Sequence, residues 1–141
     1  MSRRGSLTIV APTTAVFAYF ADPQRRPEWQ SSLRRVEDVT PAEPALGQSW
    51  TDVTAAMVRP RMRTTAYDPP SRWAEEGTWG PFTAWLRMDF APQGAATHVT
   101  WEMDLTAAGP AALAAAALRR AAPYAIAADL RAAARHIEAR D

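Results

Sequence analysis

Cysteine is absent from this chain, which excludes disulfides, thiolate catalysis and cysteine-bound zinc together. Lysine is absent too: all 16 basic residues are arginine, and against 15 acidic ones they leave a net charge of +1. No global field therefore recruits nucleic acid or an anionic membrane. The two histidines, His98 and His136, sit far apart on unrelated stretches, which argues against a histidine-rich metal site. Neither has a serine or cysteine partner that would make a nucleophilic triad. Glycine is scarce, and there is no glycine-rich phosphate loop or dinucleotide fingerprint. No apolar run is long enough to span a bilayer. Ser2-Arg3-Arg4 loosely imitates a twin-arginine export signal, but Pro12 and the threonines around it interrupt the apolar run and no small-residue cleavage site follows. The expectation is a cytoplasmic protein whose N-terminus is a first strand and helix.

What is present points to one domain over residues 1–141, at 48% apolar and 22% charged residues an ordinary globular composition. Residues 109–141 read as one long alanine-rich helix opened by Gly109-Pro110. Leu118, Ala122, Ala125, Ile126, Leu130, Ala133 and Ile137 recur on it at helical spacing. Upstream, residues 6–10 suit a strand, with Thr13 or Thr14 capping a helix that ends at Asp22-Pro23. A second, one-turn helix fits residues 24–29. Period-two alternation then predicts strands over 33–39, 48–55, 57–67, 72–79, 82–91 and 97–105, separated by hairpin-length turns. The order predicts an antiparallel meander against the terminal helix. Parity places Phe82, Ala84, Leu86, Met88 and Phe90 inward, and likewise Val99, Trp101, Met103 and Leu105. Arg59, Arg61 and Arg63 share the solvated face, and Trp85 points outward with Arg87 and Asp89.

The residues Ala11-Pro12 with Val16-Phe17, Asp22-Pro23, Pro27-Glu28-Trp29, Leu46-Gly47, Tyr67-Asp68-Pro69-Pro70 with Arg72, and Thr97-His98-Val99-Thr100-Trp101 follow one another at consistent spacing. In this the chain resembles the START-like (SRPBCC) helix-grip superfamily, within it the polyketide cyclase/dehydrase-type branch. The resemblance runs nearly end to end. It implies an α+β fold: a curved antiparallel sheet of about seven strands around a long C-terminal helix, enclosing a deep apolar cavity. Members variously cyclise polyketides, bind lipids or hormones, or serve as interaction modules, and fold does not choose among these.

The chain has six tryptophans while leucine, isoleucine and valine are few. Indoles opposite a helix of alanines suggest an aromatic-lined space for a flat or polycyclic guest, or else a solid core that the indoles fill. The expected lining is Trp50, Trp73, Trp79, Trp101, Phe82, Leu86, Met88 and Met103. Parity also puts two carboxylates inside: Glu75 with Trp73 and Trp79, and Asp52 with Trp50. A desolvated acid has a raised pKa and suits general acid/base work; the alternatives are a register slip that wets it or an ion pair with an arginine. Tyr124, after the helix-kinking Pro123, is a candidate hydrogen-bond donor to a guest carbonyl. The functional expectation is a hydrophobic-ligand cavity that promotes cyclisation or dehydration. A non-catalytic carrier, or an interaction module using Trp85 and the arginine stripe, is the alternative. No metal, cofactor or nucleic acid is called for, and a monomer or homodimer is expected.

Overall fold

A computed structural model describes residues 2–140. Strand β1 (Arg3–Ile9) leads into α1 (Thr13–Ala21), a 3-10 turn (Pro23–Arg25) and the one-turn α2 (Arg26–Trp29). Six strands follow: β2 (Leu33–Thr40), β3 (Ser49–Thr54), β4 (Arg61–Asp68), β5 (Arg72–Trp79), β6 (Phe82–Gln93) and β7 (Ala96–Ala107). A 3-10 turn (Gly109–Ala111) then opens α3 (Ala112–Glu138). The curved sheet has seven strands in the order β1-β7-β6-β5-β4-β3-β2, each antiparallel to its neighbours. β1 crosses to the edge beside β7, and α3 packs chiefly on these two strands and on α2. This is the helix-grip arrangement.

Local chemistry explains where elements start and stop. Gly80-Pro81 and Gly94-Ala95 close two-residue hairpins, and both glycines adopt the positive φ that such turns demand. β4 begins at Arg61 and not at residue 57. Pro60 has no N–H to give a ladder, so the segment meets β3 as an acceptor, from Asp52 N–H at Pro60 O (3.0 Å) and Thr54 N–H at Val58 O (3.1 Å), while Met57 N–H closes a turn onto Thr54 O (3.0 Å). Arg59 therefore lies outside the strand, while Arg61 and Arg63 are exposed on it. Neither Thr13 nor Thr14 caps α1, whose N-cap is Pro12 with no side-chain bond. Thr97 spends its hydroxyl proton on Ala11 O (2.8 Å), so at 3.1 Å it receives that of Thr13 instead.

The core sits under the C-terminal half of α3. Leu130, Ala133 and Ile137 are buried at helical spacing against Ile9, Val16, Phe20 and Val99. Phe20 packs edge-on against Trp29 (5.2 Å) and stacks on Phe90 (6.0 Å), sealing that end. The first half of α3 is different. Ala115 is buried there, but Leu118, expected on the apolar stripe, is 51% exposed and Ala125 is exposed. Arg119, paired with Asp104 (2.9 Å) and donating to Leu105 O (3.0 Å), ties this half to β7.

Candidate functional site

Cross-strand register builds the interior in rows. Trp73, Met88 and Trp101 lie side by side across β5, β6 and β7, with Gly5 of β1 next in line. A Cβ on Gly5 would meet the Trp101 ring at 2.4 Å, so glycine is what lets the indole lie over β1. The next inward-facing row along the strands is Glu75, Leu86 and Met103, then Gly77, Ala84 and Leu105, then Trp79 and Phe82. The first row is solid. The small residues of the third, facing the alanine-rich start of α3, leave a hollow.

That hollow is a cavity of about 410 Å³, within the usual size of small-molecule sites. Leu86, Met103, Leu105, Met62 and Ile126 supply apolar wall. Its mouth lies at the stacked rings of Trp79 and Phe82 (centroids 5.7 Å apart, 16° between planes), with Leu118 of α3 also on the lining. Trp79 is 46% exposed there.

The inner end is charged. Arg26, the first residue of α2, is fully buried and points its guanidinium between the rings of Trp50 (5.2 Å) and Trp29 (5.8 Å). It donates from Nε to Asp52 Oδ1 (3.3 Å), from Nη2 to Asp52 Oδ2 (3.1 Å) and from Nη1 to Glu75 Oε1 (3.0 Å). Trp50 Nε1 adds a bond to Asp52 Oδ1 at 2.8 Å. Both oxygens of Asp52 are thus engaged, whereas Glu75 Oε2 is buried with no partner. Burial works against the charge on Arg26, but Glu75 and Asp52 outweigh it and hold the guanidinium charged. Burial pushes the Glu75 carboxyl well up; Arg26 pulls it down, and Asp52 adds to the rise. One cation beside two carboxylates carries a surplus negative charge, which a proton on Glu75 removes.

The expected site residues divide accordingly. Glu75 and Asp52 come together at the inner end, and Trp79, Phe82, Leu86 and Met103 line the cavity. Trp50, Trp73, Trp101 and Met88 do not: they are buried in the packed core. Parity gives the face of a strand but not the depth along it: Trp73, Met88 and Trp101 form the solid first row, and Trp50, which register sets beside Met62 and Gly77, is covered by the Arg26 guanidinium. Tyr124 is 81% exposed. It stands two residues from both Ala122 and Ile126, about 200° round the helix from the inward side. Trp85, expected outward, is half-buried and also borders the cavity. Arg26 escaped the sequence reading. Two inward carboxylates without an inward cation were its signal, but a single-turn helix has no periodicity to reveal which way an arginine points. Among the described residues no group of three or more His, Asp or Glu side chains gathers as metal ligands, and no helix is long and apolar enough to cross a membrane.

The family model described as polyketide cyclase / dehydrase and lipid transport matches residues 3–140. No curated protein matches. Among solved structures, a protein of Thermus thermophilus superposes with a TM-score of 0.80 at 18% identity, covering 100% of this chain and 99% of that one. A START superfamily protein from Mycobacterium smegmatis gives 0.75 at 12% identity, with 99% of each chain covered. The di-domain ARO/CYC BexL from the BE-7585A biosynthetic pathway gives 0.76 at 16% identity, covering 98% of this chain and 46% of that one. At such identities these likenesses speak to the fold alone.

Proposed function

This chain belongs to the polyketide cyclase / dehydrase and lipid transport family, and from that premise we propose that it encloses a bulky apolar, aromatic or polyketide-like molecule and promotes its cyclisation or dehydration through Glu75. The observation that carries the reading is the unequal treatment of two carboxylates at the inner end of an apolar cavity. Asp52 is saturated by Arg26 and Trp50, so it anchors the guanidinium. Glu75 is held by one oxygen only, is pushed toward its neutral form by burial, and has the other oxygen free.

A neutral Glu75 protonates a hydroxyl of the guest, which leaves as water. The resulting carboxylate, stabilised meanwhile by Arg26, takes the proton from the adjacent carbon, and the double bond forms while Glu75 regains its acid form. In a cyclisation the same group protonates the carbonyl oxygen under attack and recovers a proton from the attacking methylene. The apolar walls hold the guest folded, which removes the orientational part of the barrier.

Dehydration of a naphthyl β-hydroxyketone, followed by the absorbance of the enone, tests this. Glu75→Gln keeps the shape and the bond from Arg26 but cannot transfer a proton, so turnover should fall about 100-fold or more. Wild-type turnover should also fall as pH rises through the raised pKa of Glu75, because the acid form is the active one. Turnover by Glu75→Gln at the wild-type rate excludes Glu75 as the acid. Quenching of tryptophan fluorescence by the ketone with no enone from the wild type favours the second reading, a carrier, which the apolar walls alone would support.

A further inference from the structure

Resting on the reading that this cavity holds an apolar guest, we propose that its inner end selects uncharged guests bearing a hydrogen-bond-accepting oxygen, such as a ketone, and rejects carboxylates, with Glu75 as the specificity-determining residue. The argument is a count of charges and donors. Among the described residues that line the cavity, Arg26 is the only cation, and it is already shared between Asp52 and Glu75. A guest carboxylate would bring a third negative charge to one guanidinium in a buried place. Its desolvation would then have no compensating ion pair.

A guest ammonium would be favoured only by an ionised Glu75. The charged groups that face Glu75 from the elements around it are Arg26 of α2 and Asp52 of β3. Its strand partners, Thr64 on β4 and Leu86 on β6, carry no charge. Burial pushes Glu75 up, Arg26 opposes and Asp52 adds, with a net rise. With that proton in place, the group at the inner end has one oxygen on Arg26 and one O–H to give. Among the described residues lining the cavity, Glu75 Oε2 is the buried side-chain atom left without a partner. Leaving such an atom unpaired is unfavourable, and a guest carbonyl supplies what the protein does not. Because the proton on Glu75 makes the bond, affinity for a ketone is full below the raised pKa and falls as pH rises through it.

The test uses four naphthalenes of similar shape, read by quenching of tryptophan fluorescence: acetylnaphthalene, ethylnaphthalene, naphthoate and naphthylmethylamine. We expect the ketone to bind about tenfold tighter than the hydrocarbon, the effect of one buried hydrogen bond, and naphthoate to bind weakest. Glu75→Leu should erase the ketone's advantage. Glu75→Gln, which retains a donor but cannot titrate, should restore it and make it independent of pH. Naphthoate or the amine binding as tightly as the ketone overturns the proposal while leaving the apolar cavity intact. So does a ketone advantage that survives Glu75→Leu. Failure of all four to bind overturns the cavity reading and the proposal with it, whereas loss of turnover alone in Glu75→Gln bears on the catalytic reading and not on this one.

Discussion

Arg26 serves two carboxylates with one guanidinium, so removing it strands two buried acids and not one. Arg26→Met preserves most of the side-chain volume between Trp29 and Trp50 but leaves the Asp52 charge uncompensated and takes from Glu75 the one donor it has. Breaking a buried pair this way costs about 3–5 kcal/mol, a large share of the roughly 5–15 kcal/mol that holds a domain together. Urea unfolding should show that loss, and adding Asp52→Asn with Glu75→Gln should recover most of it; an Arg26→Met variant as stable as the wild type would mean that the trio is hydrated. Glu75 alone makes a second prediction with a definite sign. Its folded pKa lies above the unfolded one, so the folded state holds the proton longer. Its contribution to stability is full at low pH and is lost as pH rises through the folded pKa. Across that interval Glu75→Gln, which does not titrate, should gain thermal stability on the wild type.

Elements of the sheet were legible in the sequence wherever one face is buried and the other wet. The alternation of β7, with Thr97, Val99, Trp101 and Met103 buried, is what period two predicts. What alternation does not carry is depth. Trp73, Glu75, Gly77 and Trp79 share a face of β5, yet they are core, site, cavity wall and mouth in turn. Only the lateral rows sort them, and rows come from register, which no single strand encodes. The glycines of two rows make the difference testable. In Gly5→Ala the new methyl meets the rigid Trp101 ring at 2.4 Å, and nothing there yields without moving a strand. Overpacking of this kind costs about 1–3 kcal/mol, readable by chemical denaturation. In Gly77→Ala it meets Met62 Sδ at 2.6 Å, the end of a flexible side chain at the cavity wall. That variant should keep its stability within about 1 kcal/mol, because a thioether repacks easily, and should instead bind acetylnaphthalene more weakly as Met62 swings into the hollow. If both variants lose stability equally, the rows do not differ in the way the registers describe.

At the scale of the whole molecule, one helix does two jobs with its two halves. Residues 128–138 of α3 are set into the aromatic core by Leu130, Ala133 and Ile137. Residues 112–122 border the cavity through Leu118 and are tied down by Ala115 and the Arg119 clamp, with Leu113 and Leu118 exposed. Pro123 separates the halves and removes the N–H that would bond the Arg119 carbonyl. A helix segment with so little buried surface opens locally at low cost, and its missing apolar contacts are what a guest in the cavity would provide. Binding should therefore stabilise the first half and leave the second as it was. Amide hydrogen exchange with and without saturating acetylnaphthalene checks this: protection should rise in residues 112–122 and at the Trp79–Phe82 hairpin, and stay unchanged in residues 128–138. Uniform protection along α3 would instead mean that the helix moves as one rod and that the guest stabilises the global fold, in which case the mouth between Trp79 and Leu118 is fixed and not a place where the molecule opens to load.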